Sequence, residues 1–253
     1  MRLVMGRSMP DAQFLLAACM FLGAVLYSSV GHAGASAYIA LMALFGVAPA
    51  VMRPTALVLN ILVASLISRR YLRAGLFRWR TLWPFLIGAI PLAFIGGAIH
   101  LPGNYYRWIV GVALLIGGAR LLWPKRINAQ REIHDPPVWA GVLLGSGIGL
   151  LSGLTGTGGG IFLSPIILFL GWSDIRTTSG IAATFILCNS IAGLLGNVTV
   201  VQSLPAELPL YAAAVVLGAI VGGGIGTKIP ATWIQRALGL VLMIAGIKLI
   251  GVY

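Results

Sequence analysis

The sequence predicts an all-α polytopic membrane protein made of two pseudo-symmetric halves. It would have about eight transmembrane helices plus two short broken or re-entrant segments. The first observation behind this is composition: 253 residues that are 59 % hydrophobic and 9 % charged, with a mean hydropathy of +0.99. An ordinary soluble domain carries about a quarter charged residues. The second is arrangement, because the apolar residues fall in long runs separated by short polar loops, whereas the roughly ten-residue alternating strands of an outer-membrane barrel are absent. The third is a pair of Gly-rich interruptions at corresponding places in the two halves. These observations imply a multi-pass protein of a cell inner membrane, with the lipid bilayer as its main partner.

Taken in order, the first half offers apolar segments at 12–30, 36–48, 53–68, 82–99 and 106–123, and the second at 138–154, 161–172, 179–196, 209–227 and 234–252. The run after Arg2 and Arg7 superficially resembles a signal peptide, but its length makes it a retained first span. Segments 36–48 and 161–172 fall below the roughly 20 residues that a crossing needs. A polar connector, 124–137, separates a first repeat (1–123) from a second (138–253). Gly31 and Gly34 align with Gly156 and Gly159, Thr55 with Thr184, Asn60 with Asn189, and Gly96-Gly97 with Gly222-Gly223. Pro102, Gly111 and Gly118 align with Pro230, Gly239 and Gly246. Two topologies satisfy this pattern. In one the short segments re-enter, giving eight spans and parallel repeats; in the other they cross, giving ten segments and inverted repeats. Both place 69–80 and the connector in the cytoplasm.

The net charge of +12 does not indicate a nucleic-acid partner. Arg69, Arg70, Arg73, Arg78 and Arg80 form one loop cluster, and Arg120, Lys125, Arg126 and Arg131 a second. This is the distribution expected from positive-inside orientation and anionic headgroups. Trp83, Trp108, Trp123, Trp139, Trp172 and Trp233 lie near segment ends, where interfacial anchors belong. Cys19 and Cys188 sit in apolar segments as buried free thiols.

Carboxylates carry the most discriminating signal. Asp11, Glu132, Asp135, Asp174 and Glu207 are the complete set, and all lie in loops or at segment ends. Cation carriers and proton pumps usually need intramembrane acids, so neither a carboxylate-based metal site nor a cofactor is expected. The interior polar groups suit an oxyanion better. Five glycines between Ser152 and Pro165 cannot hold a continuous helix. The run from Ile161 restarts a helix whose amide end faces the break, which is an anion site built mainly from backbone.

The expected substrate-binding residues are Gly31, His32, Gly34, Ser36 and Asn60 in the first half. In the second they are Thr155, Thr157, Gly158, Gly159, Gly160, Ile161 and Asn189. His32 can supply charge or a coupled proton, or fill a cavity as a neutral, hydrogen-bonded ring. The hydroxyls of Thr155, Thr157, Ser164, Ser28, Ser29 and Ser36 can donate to an oxyanion or bond helix carbonyls. Asn60 and Asn189 either line a path or join helices, because an unpaired amide in hydrocarbon costs about 2–7 kcal/mol. No catalytic residue is assigned. An anion channel, or a membrane-embedded transferase using His32 with a serine, is the alternative function.

At Gly153-Leu154-Thr155-Gly156-Thr157-Gly158-Gly159-Gly160-Ile161-Phe162-Leu163-Ser164-Pro165 the chain resembles the TauE/SafE sulfite exporter family, also called TSUP. The likeness extends to chain length, the charged central loop and the duplicated Gly-rich segment. It implies a permease for small sulfur-containing anions (sulfite, organosulfonates or related carboxylates), commonly an exporter, with a four-plus-four arrangement of spans. The first-half copy, Gly31-His32-Ala33-Gly34-Ala35, keeps two of the glycines, which departs from the fuller pattern.

Overall fold

The computed structural model describes residues 10–122, 133–198, 204–225 and 231–251. They form α1 (Pro10–Ser29), α2 (Ala35–Leu44), α3 (Pro49–Arg73), α4 (Trp79–Ala98), α5 (Gly103–Leu122), α6 (Val138–Thr155), α7 (Gly160–Leu170), α8 (Ile175–Asn197), α9 (Leu208–Ile225) and α10 (Ala231–Gly251). No strand occurs among the described residues. Helices α1, α3, α4, α5, α6 and α8 are long and apolar enough to cross a membrane, so the chain is a multi-pass membrane protein. Residues 124–132 of the connector, and Trp123, lie outside the described residues.

Both short segments are short helices. At 1.5 Å per residue, α2 extends about 15 Å and α7 about 17 Å, roughly half a bilayer core. Each sits in its own apolar core. Tyr38, Ile39 and Met42 of α2 pack with Met20, Leu59, Val63 and Val215. Leu163 and Ile167 of α7 pack with Phe85, Ile181 and Phe185. Trp172 joins the second core, its ring 5.9 Å from that of Phe85 and 4 % exposed. It is therefore a core residue and not an interfacial anchor, because the turn after α7 folds back over α4. Cys19 and Cys188 are free and half-buried.

Helix α3 begins four residues earlier than the hydropathy pattern suggests. Pro49 occupies the first turn, where a missing N–H and a fixed φ favour initiation. Arg53 consequently lies within the helix at 5 % exposure.

Glycine seams set the helix directions. Along α4 and α6, Gly145 meets the backbone of Phe85, Gly149 that of Ala89 and Gly153 that of Ala93, a constant register that makes the pair parallel. On α9, Gly218 and Gly222 meet Phe21 and Val25 of α1, again in parallel. Helices α5 and α10 are antiparallel, with Gly111 against Gly246 and Gly118 against Gly239. In each seam small residues let backbones approach directly.

Polar contacts separate two ends. At one, Arg78 pairs with Asp135 at 2.9 Å, the His134 amide donates to Gly171 O at 3.3 Å, and Gly180 lies against Leu76. The end of α3, the starts of α4, α6 and α8 and the end of α7 therefore share this arginine-rich end. At the other, Lys248 Nζ donates to Leu44 O at 2.7 Å and Gln13 Nε2 to Glu207. Helix α7 thus returns to the end from which α6 starts.

Candidate functional site

The second Gly-rich stretch is an interruption. Helix α6 stops at Thr155, Gly156 caps it at φ 83°, and Gly159 precedes α7 at φ 79°. These left-handed conformations are ones that a side chain resists. The first stretch breaks the same way, with Gly31 at φ 80° and Gly34 at φ 100° immediately before α2. The first-turn amides of α2 and α7 thus face the breaks, where no preceding turn supplies carbonyls.

Side chains of α3 and α8 brace the two breaks and meet each other between them. Asn60 Oδ1 accepts from the Ala35 amide at 3.2 Å, capping α2 from the following helix of the same half. Its Nδ2 donates to Ser190 Oγ at 2.8 Å, and a Cβ on Gly158 would collide with that amide group. Asn189 Nδ2 reaches Gly158 O at 3.4 Å, but its Oδ1 has no partner although the residue is fully buried. His32 joins the first break to α7. Its Nδ1 lies 3.2 Å from Val30 O and its Nε2 2.9 Å from Ser164 Oγ, and a Cβ on Gly160 would lie 3.5 Å from its ring. Because a carbonyl only accepts, Nδ1 carries the proton; in the neutral ring Nε2 then accepts from the Ser164 hydroxyl.

A cavity of about 900 Å³ opens beside this bridge. Its inner wall includes His32, Ile161 and Ser164, and Arg70, Arg120 and Arg176 line it farther out; no carboxylate lines it among the described residues. Ser28 and Thr178 also line it. They are 5 % and 1 % exposed, and neither hydroxyl has a hydrogen-bond partner.

Of the expected substrate-binding residues, His32 and Ile161 therefore line the cavity. Gly158, Gly159, Gly160, Asn60 and Asn189 cluster behind it. Gly31 packs on Ser179 and Tyr71, and Gly34 on Tyr38. The Ser36 hydroxyl bonds Tyr27 at 2.6 Å. Thr155 and Thr157 bond each other at 2.9 Å, and Tyr106 Oη donates to Thr155 O at 3.0 Å.

Sequence reasoning missed the arginines. Arg70 and Arg120 read there as headgroup contacts, although each lies in the last turn of its helix, where a long side chain can turn inward. Arg53 read as the edge of a segment, yet its guanidinium bonds Gly97 O, Ile99 O and Leu154 O. Pro49 was the available signal, because it moves the helix start upstream.

The sequence model of the family described as Sulfite exporter TauE/SafE matches residues 15–249. The chain belongs to the TauE/SafE family. A similar curated protein, described as "Probable membrane transporter protein y4hK" from Sinorhizobium fredii (strain NBRC 101917 / NGR234), is 38 % identical over 239 residues. The alignment covers 93 % of this chain and 97 % of that one. No solved structure matches this TauE/SafE chain. A membrane transporter of the TauE/SafE type is thus what the two comparisons indicate.

Proposed function

We propose that the chain is an alternating-access permease for a small sulfur-containing anion, sulfite or an organosulfonate, in the cell inner membrane. The carrying observation is the cavity itself: three arginines, two unpartnered buried hydroxyls and, among the described residues, no acid, leading to the His32–Ser164 bridge between the first break and α7. Such a funnel concentrates anions and repels cations. The α7 amide end at Gly159 to Ile161 supplies donors at its base. Asn189 Oδ1, an unused acceptor, suits a guest with a donor of its own, such as hydrogensulfite or an amino- or hydroxy-sulfonate.

In this reading 1–123 and 138–253 are inverted repeats joined by a cytoplasmic connector at 124–137. Supporting it, the parallel α4–α6 and α9–α1 seams are the counterparts that such a duplication would produce. Gly111–Gly246 and Gly118–Gly239 exchange under the alignment of the halves. Positive-inside orientation makes the arginine-rich end cytoplasmic, so the cavity faces the cytoplasm, as an exporter's loading state would.

The test is flux of radiolabelled sulfite, sulfoacetate and taurine into proteoliposomes, with and without a pH gradient. Saturable anion flux with countertransport is expected. Flux without countertransport would indicate a channel, and absence of flux for every sulfur anion would overturn the substrate class. One observation favours a second reading, group transfer by a serine, because His32 Nε2 stands 2.9 Å from Ser164 Oγ. A carboxylate orienter is missing, since Nδ1 bonds a carbonyl. Ser164→Ala separates the two: a transferase loses all turnover, whereas a transporter retains measurable flux.

A further inference from the structure

The end of the molecule opposite the cavity is closed by donors aimed at helix C-termini. Arg53 of α3 bonds the carbonyls of Gly97, Ile99 and Leu154, at the ends of α4 and α6. Asn197 of α8 adds a bond to Gly97 O at 3.3 Å, and Tyr106 of α5 holds Thr155 O. Gly156, the first residue of the second break, lies on the Arg53 stem; a Cβ there would be 3.1 Å from its Cγ. The guanidinium is buried, has no carboxylate partner among the described residues, and its Nε has no acceptor. Its compensation comes entirely from carbonyl dipoles at helix ends.

Arg53 ties α3 to the tips of α4 and α6, so a route that parts them removes all three carbonyls from its guanidinium. An unpaired arginine at that depth is strongly disfavoured, unless an arriving anion takes the carbonyls' place. A guanidinium binds an oxyanion more strongly than a neutral carbonyl.

The other end of α3 offers a comparison. There Arg70 stands beside Gly223, which the repeat aligns with Gly97, and it lines the open cavity without a carbonyl acceptor among the described residues. One end therefore has its arginine bonded to carbonyls and is shut; the other has an arginine on the wall of the open cavity.

We propose that Arg53 is an anion-released latch. The transported oxyanion replaces the helix-end carbonyls as its partner, so the closed end opens readily only when the carrier is loaded. This rests on the permease reading above and adds to it a transport mode, preferential exchange of anion for anion, together with a second anion contact beyond the breaks.

The experiment compares entry of radiolabelled sulfite into proteoliposomes that contain unlabelled sulfite (exchange) with entry into empty ones (net). In the wild type, exchange should exceed net entry by roughly tenfold or more, since the empty carrier must strand a buried charge to return. Arg53→Gln should raise net entry and bring the ratio close to one, whereas Arg53→Lys, which keeps the charge, should preserve most of it. Tyr106→Phe removes a neutral bond from the same closed end and should leave the ratio unchanged. A merely structural role for Arg53 predicts the same response from Tyr106→Phe and Arg53→Gln.

Equal exchange and net entry in the wild type, or an unchanged ratio in Arg53→Gln, would overturn the latch while leaving transport intact. No sulfite movement in either mode is instead a failure of the permease reading for that anion. If Arg53→Gln does not fold, Ser152→Cys is made in a chain whose Cys19 and Cys188 are replaced by alanine. Labelling of this buried position by an impermeant maleimide should accelerate severalfold on adding sulfoacetate, an organosulfonate that, unlike sulfite, does not consume the reagent. Labelling indifferent to sulfoacetate in a chain that transports it would refute the latch.

Discussion

Asn60 and Asn189 occupy aligned positions, yet their surroundings predict opposite consequences for replacement by alanine. Asn60 makes two bonds to buried partners, accepting from the Ala35 amide at 3.2 Å and donating to Ser190 at 2.8 Å. Removing its side chain forfeits both and leaves an amide and a hydroxyl unsatisfied in an apolar interior. At about 1–3 kcal/mol for each of the two orphaned partners, Asn60→Ala should lose on the order of 2–6 kcal/mol. Asn189 makes a single bond, at 3.4 Å, and already carries an unpartnered Oδ1. Asn189→Ala removes one weak contact and one orphan together, so its stability change should be about 0–1 kcal/mol. If that unused acceptor serves the guest, however, flux should fall roughly tenfold, the equivalent of one productive hydrogen bond. Thermal unfolding in detergent, followed by tryptophan fluorescence, gives the first quantity, and proteoliposome flux gives the second. Equal destabilisation by the two variants would refute the hydrogen-bond reasoning, and wild-type flux in Asn189→Ala would remove Asn189 from the site.

Other expectations follow from single contacts. Gly145→Ala places a methyl group against the Phe85 carbonyl and should destabilise the α4–α6 pair by about 1–3 kcal/mol, read as a lower unfolding midpoint. Gly159→Val should stop transport, because its Cβ would lie 2.8 Å from Ile148 and 3.1 Å from the Asn189 amide, at φ 79°; membrane insertion, measured by fractionation, should persist. Asp174 caps α8 through the amides of Arg176 and Thr177, at 2.9 and 3.0 Å. Burial alone would raise its pKa, but these bonds and the Thr177 hydroxyl outweigh that and hold it below the usual carboxylate value. A lowered folded-state pKa means the cap's stabilisation is present above the unfolded value, near pH 4, and fades as pH falls through the folded one. Asp174→Ala should therefore cost about 1 kcal/mol at neutral pH and progressively less in acid, by denaturation at several pH values.

Much of the architecture was legible in the chain because lipid imposes simple rules. Hydropathy located the ten helices of the described residues, and glycine clustering located both interruptions, since φ near +80° excludes most other residues. What stayed hidden depends on tertiary aim. Nothing local to Ser36 tells that its hydroxyl would face Tyr27, or that Ser164 would face His32. The arginines show the limit most clearly. Loop charge is normally explained by orientation in the bilayer, and only the reach of Arg53 to the ends of α4 and α6, and the place of Arg70 beside α9, distinguish the two from that background. Trp172 was misread for a related reason: nearness to a segment end does not reveal which way the following turn folds.

The α4–α6 seam has a mechanical consequence. Glycines at 145, 149 and 153 sit against the carbonyls of successive turns of α4, with no flexible side chain between to act as a lubricant. Sliding either helix by one residue would drive methylene carbons into peptide oxygens, so the two must travel as a single rigid plate. Shape change in a working cycle is then left to whatever borders that plate, and its edge at Leu154 and Gly97 is the rim along which the rest of the molecule must pivot.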